Sequence, residues 1–194
     1  MIKVSSSQFN YRYFGRIHFP YSISLLVSHL KTDKKIRDNY EFEKTFVFRE
    51  KVEDYIKQCI DTDILLCSCY VWNWELTMHL AEQVKKINPD CLVILGGPHV
   101  PENSVGFFDK HPFIDMLVHG EGEKISEEIF TEYLNKKDFS NVKGISTKEF
   151  QTTFAERIND LDTIPSPYLT NTIWELVENV EGINWICSWE THRG

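Results

Sequence analysis

The sequence predicts an α/β fold, a doubly wound five-stranded parallel sheet with helices on both faces. Three observations carry that expectation. The run ILLCSCYV at residues 64–71 is almost continuously apolar, as a strand buried on both faces must be. Such runs alternate with segments of helical apolar spacing from residue 2 to residue 134. The connections are short, and glycines follow two of the strands at once, at Gly96 and Gly97 and at Gly120 and Gly122.

Residues 2–9 read as the first strand, weakened by Ser5, Ser6 and Ser7. Residues 10–20, NYRYFGRIHFP, read as a loop rich in aromatic and basic side chains. Ile23, Leu26, Val27 and Leu30 recur at helical spacing and predict a helix over 21–31. Residues 31–40 are polar and read as a surface connection, and 42–48 as the second strand. Val52, Tyr55, Ile56, Cys59 and Ile60 make 50–60 an amphipathic helix.

After the strand at 64–71 a helix follows with a wide apolar face, Trp74, Met78 and Ala81 on one stripe and Leu76, Leu80, Val84 and Ile87 on another. Asn73 is its expected cap, Glu75 suits its positive end, Lys85 and Lys86 suit its negative end, and Asn88 and Pro89 stop it. Residues 92–95 are the fourth strand, 102–110 a short helix and 115–119 the fifth strand. Ile125, Ile129, Tyr133 and Leu134 mark a last long helix. The architecture is Rossmann-like or flavodoxin-like. Beyond residue 135 the pattern changes. Residues 142–154 alternate around Gly144 and predict a small hairpin, and the two prolines of 161–169 favour an extended linker. Residues 172–180 suggest a short helix, and 183–190, INWICSWE, are apolar and β-like.

A length of 194 residues suits one domain with an appendage, or one domain cut from a longer chain. The aromatic share of 13% suits a large core or a planar ligand. A net charge of −8 is opposite in sign to that of a phosphate-backbone binder, so nucleic acid is excluded as a partner. No apolar run reaches the roughly 18 residues of a membrane span, and the amino terminus lacks the features of a signal peptide. Five cysteines without a C-x-x-C pair read as reduced thiols of a cytoplasmic protein. Cys67 and Cys69 face one side of a strand, as small core residues or as partners of a metal.

In a doubly wound sheet the ligand meets the loops after the strands' carboxyl ends, here 10–20, 68–73, 96–101 and 119–123. Gly96, Gly97, Gly120 and Gly122 let the backbone approach a ligand, and Ser68 offers a hydroxyl. His99 and His119 are of a metal-ligating type, or each bonds a loop carbonyl. Glu121 and Glu123 suit acid–base work, or solvation and helix capping. No Ser-His-Asp order, H-E-x-x-H, P-loop or G-x-G-x-x-G is present, so no catalytic residue and no metal ligand is assigned.

Four stretches together resemble the cobalamin-binding radical SAM enzymes. They are Leu95-Gly96-Gly97-Pro98-His99, Asp115 with His119-Gly120-Glu121-Gly122-Glu123, the stretch DLDTIPSPY at 160–168, and Glu190-Thr191-His192-Arg193-Gly194. The resemblance implies a cobalamin-binding α/β domain at 1–138, a hairpin and linker at 139–182, and the start of a truncated radical SAM barrel at 183–194. It implies base-off cobalamin with its tail beside Ser68, Gly96 and Gly97. The corrin face would rest on loops 70–74 and 99–101, so Tyr70, Val71, Trp72, Pro98, His99, Gly120, Glu121 and Gly122 complete the cofactor-binding set. The C-x-x-x-C-x-x-C loop that would hold a [4Fe–4S] cluster and S-adenosylmethionine is expected only in the full-length enzyme, in a barrel missing from this chain. That enzyme would perform methyl transfer or related radical chemistry, and the chain alone would not be catalytic. Some cobalamin proteins ligate cobalt from a D-x-H-x-x-G loop after the first strand. His18 has neither the Asp before it nor the Gly after it, so it is not expected on cobalt. The alternative is a cobalamin-free flavodoxin-like or response-regulator-like domain that binds a partner or regulates, or a remnant that keeps only the fold.

Overall fold

Residues 1–135 and 137–190 are described here in a computed structural model. The junction stretch 191–194, with its Thr-His-Arg-Gly sequence, lies outside the described residues. In chain order the elements are β1 (Ile2–Asn10), β2 (Arg12–Tyr13), β3 (Arg16–His18), α1 (Tyr21–Leu30), α2 (Lys34–Asn39), β4 (Tyr40–Phe42), β5 (Phe46–Phe48) and α3 (Val52–Gln58). Then come β6 (Ile64–Ser68), α4 (Trp74–Ile87), β7 (Leu92–Gly96), α5 (Phe107–Lys110), β8 (Met116–Val118), α6 (Gly122–Asn135), β9 (Ile145–Thr147), α7 (Thr172–Glu175) and β10 (Asn184–Ile186).

The main sheet runs β4-β1-β6-β7-β8-β9, with β5 also paired to β1. Five positions are parallel, as the apolar runs predicted, but the strand count is seven. The edge strand expected at 42–48 is split into β4 and β5, which pair with opposite halves of β1. The break comes where the Thr45 N–H turns away to donate to Leu176 O at 2.7 Å. β9 adds an antiparallel strand against β8. It is the first arm of the expected hairpin, and the return is a short bridged stretch at Gln151. Counted by parallel position the order is 2-1-3-4-5, the flavodoxin-like order.

Strand residues alternate between two apolar layers. Leu65, Cys67, Val93, Leu95 and Leu117 pack with Tyr55 and Ile56 of α3 and with Leu80, Ala81 and Val84 of α4. Ile64, Leu66, Ile94, Met116 and Val118 face the other way, against Ile23, Val27 and Leu30 of α1 and Ile125, Ile129 and Phe130 of α6. Cys67 and Cys69 are buried free thiols, and burial pushes Cys67 up to about 12.

Other expectations are corrected. The 31–40 connection contains α2, which Asp33 caps by accepting from Lys35 N and Ile36 N. The helices expected at 102–110 and 172–180 shrink to α5 and α7. The 10–20 loop is a hairpin, β2 with β3, and β10 adds to it in parallel as a second, three-stranded sheet. Through β10 the apolar stretch 183–190 pairs with this hairpin. Trp185 stacks on Phe19 with ring centres 4.7 Å apart and rings inclined by 14°. Among the described residues no helix is long and apolar enough to cross a membrane.

Candidate functional site

The chain leaves β1 toward one side of the sheet and β6 toward the other, so the strand order reverses between these neighbours. A crevice opens at such a point, at the strands' carboxyl ends. Here it is a cavity of about 690 Å³ on the α1–α6 face. Its floor is apolar, from Leu66, Ile94 and Val118, and α1 contributes Ile23 and Leu26 as a wall. That size lies within the ~300–1,000 Å³ usual for ligand clefts.

Eight of the eleven residues in the expected cofactor-binding set line this one cavity. Ser68 and Tyr70 come from the end of β6, and Gly96, Gly97 and Pro98 from the end of β7. Gly120, Glu121 and Gly122 come from the turn between β8 and α6. Three do not line it. Val71 and Trp72 are exposed beside it, with Trp72 stacked on Tyr70 at 4.4 Å. His99 meets Trp74 edge-on at 5.1 Å. Tyr21 and Ser22 on α1, Phe154, and Ser188, Trp189 and Glu190 after β10 also line the cavity and carried no signal in the sequence. These positions come from segments distant in the chain, and no local pattern marks them.

The rim is held by polar groups at short range. Cys69 N donates to Gly96 O at 2.7 Å and His99 N donates to Cys69 O at 3.2 Å, tying the ends of β6 and β7 together. Asn73 is at the amino end of α4 but makes no capping bond with its side chain. It is fully buried. Its Oδ1 accepts from Tyr70 N at 2.8 Å, and its Nδ2 donates to Ser68 O at 2.9 Å and to Phe9 O at 3.4 Å. Tyr70 Oη shares a 2.6 Å hydrogen bond with Ser22 Oγ and so joins the β6 loop to α1. Glu121 is committed to structure, its Oε2 accepting from Ile158 N at 2.6 Å. Glu123 is buried in the first turn of α6. No cluster of three metal-ligating side chains occurs among the described residues.

His119, at the end of β8, also lines the cavity and is only 6% exposed. Its Nε2 meets the Ser146 hydroxyl at 2.7 Å rather than a loop carbonyl. Burial holds its pKa below the ordinary 6.5, and the same cause lowers His111. Both groups resist protonation in the folded state and accept it in the unfolded one. Their stability contribution is therefore complete above about pH 6.5 and is lost as pH falls through the depressed values. The melting temperature of the cofactor-free protein is expected to decline below pH 6.5. His119→Asn should remove part of that decline; an unchanged profile would mean that His119 does not contribute.

A family description, the B12 binding domain, matches residues 23–130, more than half of the chain. The chain belongs to the B12-binding domain family. The match spans α1 to α6 and includes the β6, β7 and β8 rim. This B12-binding domain is 34% identical over 182 residues to the cobalamin-dependent radical SAM methyltransferase TokK of Streptomyces tokunonensis. It is also 34% identical, over the same length, to 2-(S-pantetheinyl)-carbapenam-3-carboxylate methyltransferase of Streptantibioticus cattleyicolor. In both cases 90% of this chain aligns with only 27% of the relative. Among solved structures it is similar to the radical S-adenosylmethionine methyltransferase TsrM of Kitasatospora setae, at a TM-score of 0.54. That match has 15% identity and covers 80% of this chain and 31% of the other, so it bears on the fold alone.

The cavity is compatible with a cobalamin tail: its volume of about 690 Å³ leaves room for a nucleotide, and its floor is apolar. A Cβ built on Gly120 would meet nothing within 4 Å, so this turn leaves open space beside the backbone.

Proposed function

We propose that this B12-binding domain holds base-off cobalamin as part of a cobalamin-dependent radical SAM enzyme. The observation that carries this is the cavity itself, which gathers Ser68, Gly96, Gly97 and Gly120 from three strand ends onto one apolar slot. In this reading Ser68 and the two glycines after β7 receive the nucleotide tail. Tyr70, Val71 and Trp72, with Pro98 and His99, would lie at the corrin face, where exposed Trp72 stacked on half-buried Tyr70 offers a flat aromatic surface. Gly120, Glu121 and Gly122 close the far side. Bound cobalamin supplies a cobalt centre able to carry a methyl group. The chain's own residues bind the tail, exclude water from it and orient the ring.

His18 is elsewhere, on β3, with Nδ1 at 3.3 Å from Ser188 Oγ, and it does not line the cavity. That supports a cobalt not ligated by His18. The partner in this reading is a radical SAM barrel carrying the [4Fe–4S] cluster and S-adenosylmethionine, and the full-length activity is methyl transfer or related radical chemistry. The domain division at 1–138, 139–182 and 183–194 belongs to the same reading. Five free cysteines favour a reducing, cytoplasmic setting.

The test is to mix the purified chain with hydroxocobalamin, desalt it and record the visible spectrum. Retained corrin absorbance of the base-off form is expected, and His18→Ala should leave that spectrum unchanged. A colourless protein would overturn the cobalamin reading, and a spectrum altered by His18→Ala would overturn the exclusion of His18 from cobalt.

A further inference from the structure

The proton on the His119 ring can be placed from the hydrogen bonds around it. Ser146 is fully buried, and among the described residues its hydroxyl has one hydrogen-bond partner, His119 Nε2. A buried hydroxyl proton left without an acceptor is costly. The hydroxyl therefore donates to Nε2, and the neutral ring carries its own proton on Nδ1. No described group accepts a hydrogen bond from Nδ1. The ring is nevertheless part of the cavity wall, beside Gly120 and next to Phe154, whose ring meets it edge-on at 6.3 Å. The floor beside it is aliphatic, from Leu66, Ile94 and Val118.

We propose that His119, oriented by Ser146, is a binding residue that donates a hydrogen bond from Nδ1 to an acceptor atom of the cofactor's nucleotide tail. The inference rests on the cobalamin reading above and adds a polar determinant for the tail. Ser146 is the positioning residue: it touches no ligand but selects the tautomer. It comes from the antiparallel β9, beyond the 23–130 span that the family description covers. The consequence is selectivity. A corrinoid that has the tail gains this bond, and cobinamide, which lacks the nucleotide, does not.

The experiment measures dissociation constants for cobalamin and for cobinamide, by absorbance or tryptophan quenching, on the wild-type chain and three variants. Asparagine places an amide nitrogen close to where Nδ1 stands, whereas glutamine reaches toward the Nε2 position. His119→Asn is expected to keep most of the cobalamin affinity, and His119→Gln to lose about tenfold of it. Ser146→Ala, which removes the tautomer lock without touching the ring, should weaken cobalamin by a smaller factor and serves if a His119 variant does not fold. Cobinamide binding should be unchanged in all of them. Equal losses for both corrinoids, or no loss in His119→Gln and Ser146→Ala, would overturn the proposal. A wild-type chain that binds neither corrinoid would remove the cobalamin reading, and this inference with it.

Discussion

Gly97→Ala is expected to destabilise the chain by about 3 kcal/mol and to abolish cobalamin retention. Gly97 has φ +103°, a conformation that L side chains rarely adopt, and a Cβ there would come within 2.7 Å of Cys69 O and 3.0 Å of Cys69 N. Both contacts are with backbone, so no side-chain rotation relieves them. Relief requires the ends of β6 and β7 to separate, which breaks the Cys69–Gly96 and His99–Cys69 hydrogen bonds that close the rim. Gly120→Ala is the control. It also has positive φ, +84°, but a Cβ there meets nothing within 4 Å. Its expected cost is the conformational one alone, about 1 kcal/mol. Urea unfolding of the two variants, with corrin absorbance after desalting, checks the contrast. Similar small losses in both would mean that the close approach at Gly97 is not a constraint.

The second large effect is expected at Asn73. Asn73→Ala should cost about 3 kcal/mol, because it leaves Tyr70 N, Ser68 O and Phe9 O to find new partners in a part of the molecule that water does not reach easily. Asn73→Asp should be no better, since the carboxylate keeps the acceptor but loses both donors and buries a charge facing two carbonyl oxygens. Either change also frees Tyr70 from its loop conformation and should loosen the Ser22 contact. Equilibrium unfolding monitored by fluorescence gives the number. A loss below about 0.5 kcal/mol for the alanine variant would show that water substitutes for the amide.

Much of the fold was legible because its signals are local. The strands β6 and β7 announce themselves by apolar runs, α4 and α6 by spacing, and the binding rim by glycines that immediately follow β7 and β8. The same logic brought eight of the eleven candidate site residues to one cavity. Asn73 shows where local reasoning fails. Its position before α4 suggests a cap, but Tyr70 N and two buried carbonyls were nearer partners, and one of those, Phe9 O, lies on another strand. The 10–20 segment fails for a related reason. Arg12, Tyr13, Arg16 and His18 give a pattern too short to mark strands, and the strand at 16–18 is held by residues 12–13 on one side and by the distant residues 184–186 on the other.

Taken by itself, the sequence determined the parallel α/β scaffold, the two-sided burial of its strands and the edge at which a ligand would be met. Periodicity and glycine placement act within a few residues of themselves, and so survive without knowledge of the rest of the chain. Tertiary structure alone decided which helix walls the cavity, that His18 meets Ser188, and that Ser146 meets His119. Each of these depends on which polar groups become neighbours once the two apolar layers have closed, and a hydrogen bond reaches only about 3 Å. Partners separated by 27 or 170 positions in the chain come within that distance only in the folded molecule.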